Sequence, residues 1–197
     1  MHKPHPRRTP ARQRLLSAAA RVFARDGLDG ATTRAISKEA GVNEVTLFRN
    51  FGTKEHLLEA VVGSAFAPAA RASAPPAGRG DLRADLASFA EAYEALLLTN
   101  LPLIRAVIGE IHRHALCEHQ ALKGIFQPMR EALIRRLEDA RRSGEARAAT
   151  DPVVSADLFA GMVFSAVLRR STLRRRLEYG SHAYRDACVD VLARGIA

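Results

Sequence analysis

Apolar side chains recur along almost the whole chain at intervals of three and four, the period of a helix buried on one face. Leu15, Leu16, Ala19, Val22 and Phe23 predict a first helix, capped by Thr9, with Pro10 in its first turn and Gly27 at its end. A second helix is expected from Thr33, as its cap, to Ala40, with Gly41 closing it. Asn43 is expected to cap a third that runs to about Phe51. Gly52 breaks the chain, and Thr53 is expected to cap a connecting helix, from about 53 to 67, that buries Leu57, Leu58, Val61, Val62 and Ala65. Each cap sets a side-chain oxygen against first-turn N–H groups that have no partner in the helix. Ala67–Gly80 then holds three prolines and two glycines, which puts a boundary between modules there. Helical patterns resume at Asp81, with breaks at 100–102, 118–120, 143–150 and Gly180, giving about five more helices. Alternating β-branched runs are missing. The expected fold is all-α, with an arm and three-helix module over residues 1–54 and a helical bundle over 68–197.

Within the first module, Ile36 and Ala40 are answered by Val42, Leu47 and Phe51 across a turn that holds Gly41. This is the spacing of a helix-turn-helix, whose second helix enters the major groove of DNA. Taken bare, helix–Gly–helix also fits an ordinary helical hairpin. Charge bears on the choice. Of a net +9, residues 1–54 contribute +7, from 11 Lys and Arg against 4 Asp and Glu, while residues 55–197 contribute +2. A basic module of this kind suits a polyanionic partner, although a solubilising tail has the same charge.

Other features narrow the class. Two cysteines, Cys117 and Cys188, argue against a disulfide scaffold. Met1 to Pro10 are polar and basic, so no signal peptide is expected. Val153–Leu168, the most apolar run, is shorter than the ~20 residues that span a bilayer and contains Asp157. The expectation is a cytoplasmic protein with no membrane partner. No phosphate-binding glycine loop, nucleophile elbow or metal-ligand motif is present, so neither an enzyme nor a cofactor is expected.

Several pieces stand in register: Phe23-Ala24-Arg25-Asp26-Gly27, Thr32-Thr33-Arg34-Ala35-Ile36, Ala40-Gly41-Val42, and Thr46-Leu47-Phe48-Arg49-Asn50-Phe51 followed by Lys54-Glu55-His56-Leu57. Together, Leu15–Val62 resembles the DNA-binding domain of TetR-family repressors. The resemblance implies a double-stranded operator as partner, a homodimer through the last two helices, and a small-molecule effector of unknown identity bound in the middle helices. One position departs from the family pattern. Phe48 stands where Tyr is usual, and it lacks the hydroxyl expected to bond a phosphate.

The candidate DNA contacts are Thr33, Arg34, Asn43, Val45, Thr46, Phe48, Arg49, Asn50 and Lys54. Thr33 lies at a helix N-terminus, where free N–H groups and the helix dipole favour a phosphate. Arg34, in the same turn, can reach backbone or a base edge. Arg49 and Asn50 lie opposite Leu47 and Phe51 and suit guanine and adenine respectively. Phe48 can pack on sugar or a thymine methyl, and Lys54 is aimed by the family pattern at a phosphate. Arg7, Arg8 and Arg12 fit a minor-groove arm, and Arg7 and Arg8 fit a solvated tail better.

One short helix reads too few base pairs, so a dimer on two half-sites is expected. The last two helices supply candidate faces: Ala156, Ala160, Gly161 and Ser165 on one, and Tyr184, Ala187, Cys188, Val191 and Leu192 on the other. They fit the monomer core as well. The candidate effector-pocket residues are Phe89, Tyr93, Leu97, Val107, Ile111, Phe126, Met129 and Phe164, at positions that equally suit plain core. His112, His114, Cys117 and His119 are metal-binding types, but residues two apart on a helix face nearly opposite ways. A solvated polar helix end is the expected reading there, with a metal-responsive regulator using His112, Cys117 and His119 as an alternative. An architectural DNA-binding protein without an effector is the other alternative.

Overall fold

The structure, a computed structural model, describes residues 10–72, 81–110, 127–172 and 178–196, and the side chains among these except at 66–72, 110, 128 and 172. These residues form helices and no strand, as the sequence pattern leads one to expect. In chain order the described helices are α1 (Ala11–Gly30), α2 (Thr33–Ala40), α3 (Glu44–Phe51), α4 (Lys54–Ala72), α5 (Leu82–Thr99), α6 (Leu101–Glu110), α7 (Gln127–Ser143), α8 (Pro152–Thr172) and α9 (Ser181–Ile196). They fall into two compact units. One holds residues up to 65 together with 102–110, and the other holds 66–101 and the described residues beyond 126.

In the first unit, α1, α2 and α3 pack on one another. Leu15, Ala19, Val22 and Phe23 of α1, Ile36 of α2 and Leu47 of α3 are all fully buried, so the periodicity read from the sequence is the core face. Two starts differ from expectation by one residue. Pro10 is itself the N-cap of α1 rather than a first-turn residue, and its carbonyl accepts from Gln13 and Arg14 N–H. Thr32, not Thr33, caps α2: its Oγ1 accepts from Ala35 N–H at 3.1 Å. With adjacent threonines, the extended backbone of Thr32 decides which side chain reaches back to the open turn. The regular run of α1 does end at Gly27, a kink whose φ of 71° and ψ of 177° are not helical and are reachable without strain because glycine has no Cβ, and one further turn runs to Gly30. Asn43 and Thr53 do cap α3 and α4, through Thr46 and His56 N–H.

In the second unit, α5 packs against α7, α8 and α9, α8 also packs against α7, and α9 against α8. Asp81 caps α5 through Ala84 N–H, and Asp151 caps α8 through Val153 and Val154 N–H. Two buried carboxylates on α5 tie the bundle together. Asp85 accepts from Arg136 of α7 at 2.5 Å, and Glu94 accepts from Arg185 of α9 at 2.6 Å and from Arg170 of α8. Arg136 also donates to Glu145, holding that carboxyl below its ordinary range.

The helix α8 outruns the apolar stretch that predicts it. By length and composition, Pro152–Ser171 is long and apolar enough to cross a membrane. Its Asp157 and Arg170 are in ion pairs with α7 and α5, and Ala156, Phe159 and Val163 are buried, which is the pattern of a core helix.

Candidate nucleic-acid interface

The turn between α2 and α3 is fastened from three sides. Gly41 closes α2 in the left-handed conformation with φ 65°, and the Val42 N–H returns to the Ser37 carbonyl at 3.0 Å. Arg14 of α1 donates to the carbonyls of Ala40 and Gly41 at 3.1 and 3.3 Å, satisfying the open end of α2. The Thr33 hydroxyl donates to Glu44 Oε1 at 2.7 Å, joining the first turns of the two helices. The angle between α2 and α3 is therefore set by side chains as well as by the shared core of Ile36, Leu47 and Phe51.

That core orients α3. With Leu47 and Phe51 inward, Val45, Phe48 and Arg49 share the outward face at one-turn spacing, and all three are exposed. Thr46 and Asn50 flank it. The Thr46 hydroxyl donates to Asn43 Oδ1 at 2.6 Å, and the Asn50 amide donates to the Thr46 carbonyl at 2.7 Å. Arg34, in the first turn of α2, is exposed too. Among the described residues, the side chains of Arg34 and Arg49 make no hydrogen bond or ion pair. Lys54, half-buried in the first turn of α4, donates through Nζ to the Leu28 carbonyl beyond the α1 kink.

The unit's positive charge is partly neutralised by ion pairs within it. Arg21 and Arg25 pair with Glu39, and Arg25 with Asp26, and both carboxyls are held below their ordinary range by those hydrogen bonds. Arg12 lies 5.2 Å from the centre of the Phe51 ring, packed on the domain rather than extended from it. Arg7 and Arg8 lie outside the described residues.

In the second unit, a cleft of about 200 Å³ is lined by Tyr93, Met129, Arg130, Asp157, Ala160, Gly161 and Phe164. Three of the residues put forward for a pocket, Tyr93, Met129 and Phe164, meet there. Phe89 stands behind them, its ring 6.1 Å from that of Tyr93, and Leu97 is buried on α5 without lining the cleft. Val107 is buried in the first unit. Ile111 and Phe126 lie outside the described residues, as do His112, His114, Cys117 and His119. Among the described residues, no group of His, Cys, Asp and Glu could hold a metal ion. Sequence periodicity missed the cleft's polar pair: Arg130 Nε and Nη2 donate to Asp157 at 2.5 and 3.1 Å, across 27 residues of chain. Burial pushes the Tyr93 phenol well above its ordinary range.

The helices α8 and α9 each carry apolar residues that the bundle does not cover. Leu158 is 61% exposed and Val191 63%, with Val154, Gly161, Ser165 and Ala187 also outward. The small-residue stripe read from the sequence divides: Ala156 is core, while Gly161 and Ser165 face out. Likewise Cys188 and Leu192 are core, while Ala187 and Val191 face out.

Residues 15–61 match the family described as bacterial regulatory proteins, tetR family, and residues 76–178 match the tetracyclin repressor-like C-terminal domain. The chain belongs to the TetR family. It is a helix-turn-helix transcriptional regulator, with α2 and α3 as the motif. The HTH-type transcriptional regulator YvkB of Bacillus subtilis is 26% identical over 171 residues, 85% of this chain and 87% of YvkB. The HTH-type transcriptional repressor AcnR of Corynebacterium glutamicum is 40% identical over 53 residues, 27% of this chain and 28% of AcnR. The fold matches that of the transcriptional regulator FadR from Bacillus subtilis, in complex with stearoyl-CoA, with TM-score 0.77 and 19% identity over 94% of this chain and 99% of FadR.

Proposed function

We propose that this TetR-family regulator is a ligand-responsive repressor that binds a palindromic operator as a homodimer. The observation that carries the reading is the outward face of α3: an N-capped helix presenting Val45, Phe48 and an uncommitted Arg49 from a basic unit. Arg34 at the start of α2 and Lys54 at the start of α4 flank that helix in sequence and supply positive charge for phosphates. Thr33, Asn43, Thr46 and Asn50 complete the contact set, either directly or by shaping α2 and α3 through the bonds described above. On this reading, residues 1–54 hold the DNA-binding module and 68–197 the effector and dimer functions, and the protein works in the cytoplasm, where its DNA is.

The uncovered apolar residues of α8 and α9 support dimerisation through the last two helices. Apolar surface of this kind gains stability from a self-complementary copy. The cleft beside Tyr93 and Phe164 supports an effector site, and the stearoyl-CoA bound to FadR and the repressor name of AcnR are consistent with ligand response and repression. A ligand acts here by population shift, favouring a state whose paired α3 helices no longer match the half-sites. Selection of binding sites from a random duplex library by the full chain tests the proposal. An inverted repeat with half-site centres about one helical turn, or a multiple of it, apart supports it. A pool without sequence preference overturns it in favour of architectural binding.

A further inference from the structure

Val45 and Phe48 are the large apolar side chains that the first unit leaves exposed among its described residues, at 74% and 48%. They stand one turn apart on α3, beside Arg49. A β-branched valine gains nothing for an exposed helix face, since its helix propensity is below that of Arg, Lys, Gln and Glu. The polar neighbours are already engaged: the Asn50 amide is on the Thr46 carbonyl, and the Thr46 hydroxyl is on Asn43. Phe48 has no hydroxyl with which to reach a phosphate. The outward strip of α3 formed by Val45, Phe48 and Arg49 is therefore apolar with one guanidinium. In the major groove, the base edges offer hydrogen-bonding groups and a single kind of apolar group, the C5-methyl of thymine.

We infer that α3 reads thymine by its methyl, through Val45 and Phe48, next to a hydrogen-bonding contact from Arg49. This rests on the proposal that α3 enters the major groove. Hydrophobic contacts then share the reading of sequence with Arg49, and Asn50 holds the helix rather than reading adenine.

Deoxyuridine tests this, because it removes the methyl and leaves every hydrogen-bonding edge of the base unchanged. The probe is the duplex selected by the full chain, with each thymine replaced singly by deoxyuridine and binding followed by fluorescence anisotropy. At one or two positions in each half-site, replacement is expected to weaken binding about fourfold, the effect of withdrawing one methyl from apolar contact. Val45→Ala or Phe48→Ala is expected to abolish the sensitivity at its own position, with circular dichroism confirming that each variant is folded. Equal binding of thymine and deoxyuridine duplexes at every position, while the selected preference persists, overturns the inference alone. If the full chain selects no sequence, the DNA-reading proposal itself fails and this inference with it.

Discussion

The Thr33 hydroxyl donates to Glu44 Oε1 across 2.7 Å, so the first turn of α2 is tied to the first turn of α3. A threonine proposed for phosphate contact is thus engaged within the motif, where it positions the helix that carries Val45 and Arg49. Thr33→Val keeps the shape and removes the donor. It is expected to cost about 1 kcal/mol, since the bond is charge-assisted but only part-buried. Urea unfolding reads the cost as a lower midpoint at unchanged slope, and an unaltered midpoint contradicts it.

Glu94 carries a different weight in the second unit. Its buried carboxylate receives Arg170 and Arg185, from two separate helices. Glu94→Ala leaves both guanidinium groups without their partner in a partly dry site and is expected to cost about 3–5 kcal/mol. Arg185→Ala is expected to cost less, because Arg170 still neutralises the carboxylate. Thermal unfolding of the two variants orders them, and the reverse order contradicts the arrangement.

Acid stability follows from Glu145. Hydrogen bonding from Arg136, opposed by partial burial, lowers its carboxyl below the ordinary 4.5. A lowered folded value gives stability that is fully present above the unfolded value and is lost as pH falls through the folded one. Wild type is therefore expected to lose stability below about pH 4.5 more steeply than Glu145→Gln. Parallel curves of stability against pH for the two proteins would exclude this contribution.

The exposed apolar residues of α8 and α9 are expected to hold two copies together. Leu158→Asp puts a charge among those exposed apolar residues, away from the core. In sedimentation at micromolar concentration the variant is expected to be a monomer while wild type is a dimer. A wild-type monomer at that concentration contradicts the proposed assembly.

Much of the architecture was legible because its causes are local. The pattern from Leu15 to Phe23 and the pair Leu47 and Phe51 gave the buried faces directly, since helical period alone decides which side meets the core. Asn43, Thr53 and Asp81 were legible as helix starts for the same reason. Between Thr32 and Thr33 the chemistry is identical, so only the backbone could choose the cap. What composition and period could not reveal was pairing across distance. Asp85 with Arg136, Glu94 with Arg170 and Arg185, and Lys54 with the Leu28 carbonyl join residues far apart in the chain. The engaged amide of Asn50 belongs to the same class of surprise, because a polar residue on an outward helix face gives no sign that it bonds its own backbone.

Selection of binding sites with wild type and with Arg49→Ala side by side tests the central claim most directly. Arg49 is exposed on α3 and, among the described residues, its side chain makes no hydrogen bond or ion pair. Its loss is expected to leave the inverted repeat recognisable, to erase preference at one position of each half-site, and to cost about 1–3 kcal/mol for the best site. An identical selected sequence from both proteins would contradict the assignment of Arg49 as a base-reading residue of α3.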